Sequence, residues 1–208
     1  MDEQAVVATR RSLHAVAELV LAGPQYREHG TIRLQVTPGG FGQVSGPLRV
    51  DGVELVRDEL RIPMRGTAAE LAAAAGVEVG APGGVYSEHA ELGPDDELQV
   101  DPAAAGLLLD WLARGHRALR QFAPEPSPVL WPEHFDLGIA LDEVNYGVSP
   151  GDRDHPLPYA YVGPWTPQAG AFWNAPFGAE RTADALPGVD AMVAFFAAGR
   201  SAVQRPLA

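Results

Sequence analysis

"HFDLGIALDEVNYGV", residues 134–148, alternates with period two: Phe135, Leu137, Ile139 and Leu141 share one side, and His134, Asp136 and Asp142 share the other. Successive side chains of a strand point to opposite faces, so this pattern predicts one half-buried strand with His134 and Asp136 projecting together. The flanking runs extend the same reading. "LPYAYVGPW" (157–165) and "GAFWNAPF" (170–177) are shorter strand-like runs broken by proline, and "GVDAMVAFFAAGRSAV" (188–203) closes the block as a helix.

Working backwards, "PEPSP" at 124–128 is a stiff spacer that stops a well-signalled helix. Asp101 is that helix's expected N-cap, Pro102 suits its first turn, and Leu108, Trp111, Leu112, Leu119 and Phe122 mark its buried stripe. Thr67 and Glu70 form a capping box for a short helix through "AAELAAAA", ended by Gly76. Residues 77–96 read as a loop and as the most flexible region. Upstream, "TIRLQV", "PLRVDGVELV" and "ELRIPM" are short strands separated by "TPGGFG" and "DG", a meander of hairpins. The first helix lies within about 3–22, with Leu13, Val16, Ala17 and Val20 on one face and Gly23-Pro24 as its stop.

The fold expected is therefore α+β, an antiparallel sheet or pair of sheets with helices packed on one side, in the order α-βββ-α, loop, α-βββ-α. A single domain over 1–208 is expected in two halves, about 1–123 and 129–208, joined by 124–128. The order suggests two similar halves, without a residue-level repeat.

Composition removes whole classes of chemistry. Net charge is −12, so the surface should repel nucleic acid and anionic membranes. No stretch approaches the ~20 apolar residues of a membrane span, and the acidic start "MDEQ" lacks the basic region of a signal peptide. The chain reads as soluble and cytoplasmic. There is no cysteine, hence no disulfide and no thiolate chemistry. All 15 basic residues are arginine, and without lysine there is neither a Schiff base nor a P-loop.

Two motif matches fail on chemistry. Gly147-Val148-Ser149-Pro150-Gly151 fits G-x-S-x-G, but the residue after the serine must donate its backbone N–H to an oxyanion, and proline has none. A tight turn, with Ser149 or Asp152 accepting from nearby amides, is expected instead. "GGFGQVSG" (39–46) has the glycines of a dinucleotide loop, but strand-like residues follow it rather than a helix. The arginines Arg114, Arg117 and Arg120 are expected to lay their stems on the surface and pair with acids.

Two site readings remain. Trp131, Phe135, Tyr146, Tyr159, Tyr161, Trp165, Phe172, Trp173 and Phe177 crowd into 131–177. Part of this cluster must be sheet core, and part could line an apolar pocket with directed polar groups. The ligand-binding set expected is Trp131, His134, Asp136, Asn145, Tyr159, Tyr161 and Trp173. The alternative is a divalent metal, held by His134, Asp136 and His155 in a hydrolase or oxygenase. Neither a cofactor nor a nucleic-acid or membrane partner is expected, and homo-oligomerisation is left open. A third alternative is an interaction module without a site.

"LWPEHFDLGIAL", "NYGVSPGD", "PLPYAYVGPW" and "FWNAPFGA" resemble the core of a bacterial family of unknown function with W-P-x-H-F-D, F/Y-G-x-S-P-G-D and P-x-P-Y-x-Y blocks. The resemblance covers roughly residues 128–200. It implies that Trp131, Asp136, Ser149, Gly151, Asp152, Pro158, Tyr159 and Tyr161 occupy motif positions, and it implies no activity.

Overall fold

The structure is a computed structural model, and it describes residues 2–203. Ten strands form one antiparallel sheet in the order β10-β9-β8-β7-β6-β1-β2-β3-β4-β5. The first block runs β1 (Leu34–Thr37), β2 (Gly40–Gln43), β3 (Leu48–Asp51), β4 (Glu54–Arg57) and β5 (Leu60–Pro63). The second runs β6 (Val129–Trp131), β7 (Asp136–Leu141), β8 (Val144–Ser149), β9 (Tyr159–Pro164) and β10 (Ala179–Thr182). The two meanders meet through β1 and β6, where Leu34 faces Leu130.

The expected α+β class and helix–strand order hold, with five strands per block where the sequence predicts three. "GGFG" is strand rather than spacer: Gly40, Phe41 and Gly42 pair with β1 and β3. Residues 134–148 are a hairpin rather than one strand. Leu141 pairs with Val144 across a two-residue turn in which Asp142 and Glu143 have φ of 52° and 60°. Both central residues thus take the left-handed conformation of a type I′ turn.

Cross-strand rows define the two faces of the sheet. Leu34, Leu130, Leu137, Val148 and Ala160 are successive register partners, and all are fully buried. Ile139, Tyr146 and Val162 form the next buried row. Helices cover this side: α3 (Ala68–Ala75) packs on β4 and β5, α4 (Pro102–Phe122) on β1, β2, β7 and β8, and α5 (Val189–Val203) on β9. The capping box of Thr67 and Glu70 and the Asp101 cap, whose Oδ1 accepts from Ala103 N and Ala104 N, form as the sequence predicts. Of the three arginines on α4, Arg114 behaves as expected, bonding Asp110 at 2.8 Å with its guanidinium over the Trp111 ring.

The first helix does not stop at Gly23-Pro24. Helix α1 (Glu3–Ala15) runs into a π-helical stretch, Val16–Ala22, which continues as α2 (Gly23–His29) and ends at Gly30 in the left-handed conformation. The wide i→i+5 register closes with Gly23 N–H on the Glu18 carbonyl, and Pro24 then falls in the opening turn of α2. A proline there has no helical hydrogen bond to lose. All seven residues of the π stretch are buried, Glu18 among them. Among the described residues, no helix is long and apolar enough to cross a membrane.

Helix α4 sits close to β8 because Gly115 has no side chain. A Cβ there would stand 2.2 Å from Val148 Cγ2. Gly115→Ala is expected to lower unfolding stability by about 1–3 kcal/mol through overpacking, although alanine is the better helix former by ~1 kcal/mol. Urea unfolding measures this, and a stabilised variant would contradict the contact.

Candidate functional site

On the side of the sheet away from α4, the row Gly138–Gly147–Tyr161 runs across β7, β8 and β9. A Cβ on Gly147 would stand 2.4 Å from Cζ and Oη of Tyr161, and one on Gly138 would stand 2.9 Å from Oη. The tyrosine ring therefore lies flat over two glycines, and only glycine leaves room for it. Lying so, its hydroxyl reaches across two strands and hydrogen-bonds Asp136 Oδ2.

Asp136 is half-buried on the cleft wall, and burial raises its pKa, while the Tyr161 bond and nearby His134 pull it down more weakly. Burial also drives the Tyr161 hydroxyl far above the usual phenol value, reinforced by the neighbouring carboxyl.

A second tyrosine–aspartate pair stands beside the first. Tyr159 donates to Asp152 Oδ2 at 2.6 Å, and Asp152 Oδ1 accepts from Asp154 N at 2.8 Å and His155 N at 2.7 Å. Burial alone would raise the Asp152 pKa, but these three donors outweigh it and hold the group below the usual carboxylate value. Ser149 Oγ accepts from Gly151 N at 3.1 Å. The S-P-G-D segment is thus the turn expected from the sequence, and its serine also contacts the Tyr159 hydroxyl. Trp111 Nε1 on α4 donates to the Ser149 carbonyl at 2.9 Å, tying this turn to the core.

Helix α1 completes the site from far away in sequence. Arg10, 5% exposed, donates to the Gly151 carbonyl at 3.2 Å, and its Nη2 lies 3.8 Å from Glu91. Four residues on, on the same side of the helix, the His14 ring stacks on Phe135 and its Nε2 lies 2.8 Å from the Pro132 carbonyl. A carbonyl only accepts, so Nε2 carries the hydrogen. Burial holds this imidazole below its ordinary pKa, so it is neutral at pH 7. Glu18, in the π stretch, accepts from Ala90 N and contacts His89 Nδ1, each at 2.6 Å. With Arg11 on Glu91 and Gly80 N on the Leu19 carbonyl, these contacts pin a segment that the sequence marks as flexible.

Together these parts enclose a cleft of about 920 Å³. His134, Asp136, Asn145, Tyr159 and Tyr161, five of the seven expected ligand-binding residues, line it. Trp131 and Trp173 do not. Trp131 stands under the Arg33 guanidinium, 5.9 Å from ring centre to Cζ, and Trp173 packs edge-on against Phe172. Trp165 and Phe177 take their place at the cleft, 63% and 39% exposed. Asn145 Oδ1 holds the Trp165 indole N–H at 3.3 Å.

The expected metal triad is dispersed. Phe135 has φ of 53°, so the strand begins only at Asp136, and His134 belongs to the preceding turn, where it faces Glu88 at 3.4 Å. His155 lies between Asp152 and Glu180, at 3.6 and 3.2 Å, and does not line the cleft. Among the described residues, no group of three or more histidine or carboxylate side chains is placed to hold a metal ion.

Arg10, His14 and Glu91 carry no local sequence signal, since their role comes from α1 and the 86–91 segment docking against distant parts of the chain. In comparison with known proteins, the chain matches no family model, no curated protein and no solved structure.

Because folding raises the Asp136 pKa, the native state binds the proton more tightly. The wild type then loses stability as pH rises from the unfolded carboxylate pKa, ~3.9, through the native value. Asp136→Asn removes that loss. The variant's unfolding free energy should gain on the wild type across this window, with a slope of up to about 1.4 kcal/mol per pH unit. Urea unfolding at a series of pH values measures the difference, and parallel profiles would refute the raised pKa.

Proposed function

We propose that the protein binds a small molecule in the cleft over β7–β9. The observation that carries the reading is convergence. The three sequence blocks around Asp136, Ser149–Asp152 and Tyr159–Tyr161 meet there, bonded to one another, and leave an open volume lined by aromatic faces and oriented polar groups. The blocks that resemble the bacterial family are the ones that build the cleft, and membership in that family is part of the same reading.

The charge of the lining narrows the ligand. Glu88, Glu133, Asp152 and Asp154 outnumber Arg153, since Arg10 is engaged with Gly151 and Glu91. A multiply charged anion is disfavoured, and neutral or cationic compounds are favoured.

A Cβ at Gly163 would meet nothing closer than 3.5 Å, at the Phe177 carbonyl, so a large side chain there fits the fold and projects into the cleft. A neutral and cationic fragment library, screened by ligand-observed NMR, should yield binders of the wild type that Gly163→Phe loses. Binders retained by that variant, or no binders to the wild type, would remove the cleft from consideration.

A further inference from the structure

We infer that the cleft receives a zwitterion of the α-amino acid type, its carboxylate on Arg10 and its ammonium among Glu88, Glu133 and Asp136. This rests on the cleft being a binding site, and it names the ligand's two charged groups. The observation that carries it is an unfilled guanidinium. Arg10 lines the cleft and is 5% exposed, yet of its five N–H bonds only one is used, from Nη1 to the Gly151 carbonyl at 3.2 Å. Nε is buried without a partner, and the 3.8 Å between Nη2 and Glu91 is too long for a hydrogen bond.

Nε and Nη2 form one edge of the planar group, an edge that takes a carboxylate through two parallel bonds. Glu91 does not fill it, because Arg11 holds that carboxylate through Nε, at 2.8 Å, and through Nη2. Leaving the donors of a buried charged group unfilled is costly, and a ligand carboxylate removes the cost. Burial lowers the Arg10 pKa against the opposing pull of Glu91 and Asp152, from a starting value so high that the guanidinium stays charged at neutral pH. The count of free N–H bonds is therefore the same whether Asp136 is ionised or not.

The cleft has two poles. Three guanidiniums, those of Arg10, Arg11 and Arg153, act on Glu91, and they outnumber Glu91 and Asp152, the two carboxylates that act on Arg10. Glu133 is surrounded differently: the charges acting on it are His134, Asp136 and Glu88, with no guanidinium among them. The Tyr159 hydroxyl interacts with both Arg10 and Asp136, so the poles lie a short way apart. A carboxylate and an ammonium on one carbon match opposite poles so placed. The Tyr159 ring lies 6.4 Å from Tyr161 and 6.4 Å from Phe177, a set of ring faces that suits an aromatic side chain. Such a ligand is neutral overall, as the acid surplus of the whole lining favours.

The probes are L-phenylalanine, phenethylamine, which lacks the carboxylate, and 3-phenylpropanoate, which lacks the ammonium. Titration calorimetry at neutral pH and low salt measures their affinities. L-Phenylalanine should bind roughly tenfold more tightly than either of the others. Arg10→Met should lower its affinity roughly tenfold and leave phenethylamine unchanged or tighter, since the cleft loses a cation. Glu133→Gln should weaken L-phenylalanine and phenethylamine a few-fold and spare 3-phenylpropanoate. Thermal unfolding confirms that each variant folds.

Either single-charge probe binding as tightly as L-phenylalanine, L-phenylalanine affinity indifferent to Arg10→Met, or equal weakening of all three probes by Glu133→Gln overturns the inference and leaves the cleft reading intact. Should Arg10→Met fail to fold, the wild-type comparison of the three probes decides alone. Absence of binding by every probe also overturns it, while the Gly163→Phe comparison decides the cleft separately.

Discussion

The two meanders share a single register pair at their seam, Leu34 opposite Leu130, and helix α4 holds that seam. It packs on β1 and β2 of one block and on β7 and β8 of the other, so its apolar stripe covers the place where the sheet is least paired. Trp111 marks the centre of this contact, fully buried and bonded through its indole N–H to the end of β8. The helix therefore does two things at once. It joins the halves into one core, and it fixes the S-P-G-D turn from which Tyr159 and Asp152 are hung.

The cleft inherits its form from that arrangement. Once the helices occupy one face of β7–β9, the polar and glycine residues between the buried rows are left to the other. Gly138 and Gly147 would weaken an ordinary strand pair, yet Tyr161 covers both, so the sheet regains packing and the tyrosine gains a fixed position. The opposite wall is borrowed. Arg10 and His14 come from a helix at the start of the chain, and Glu88–Glu91 come from a segment anchored on the buried carboxylate of Glu18.

Much of this is legible in the sequence, and the exceptions have physical causes. Elements with paired local signals, such as Thr67 with Glu70 or Asp101 with Pro102, form where the residues place them. Strand β2 escapes notice because Gly40 and Gly42 carry no β propensity, and its pairing is a property of its neighbours. The hairpin at 142–143 lacks the Asn-Gly or Asp-Gly that announces a type I′ turn. Its trace is a change of parity: Leu137, Ile139 and Leu141 face the core at odd positions, and Val144, Tyr146 and Val148 at even ones. Of the candidate site, the cluster that is close in sequence within the C-terminal half is readable. The side chains of α1 and of residues 86–91 are not, because docking over such separations leaves no periodicity to read. The metal triad does not assemble: His134 and Asp136 both line the cleft, but His155 lies between Asp152 and Glu180 and stays out of it.

The sheet is open at both ends, with β5 and β10 as its outer strands. Neighbouring strands are usually rotated by roughly 20–25°, so the steps from β5 to β10 accumulate to about half a turn. The surface over β3–β5, where Asp51 bonds Arg49 and Arg61 and Arg61 reaches Glu54, belongs topologically to the same face as the cleft. At that usual twist, the six steps from β4 to β8 would rotate this surface away from the cleft by roughly 120–150°. A macromolecule docked on that ion-paired surface would leave the entrance to the cleft unobstructed.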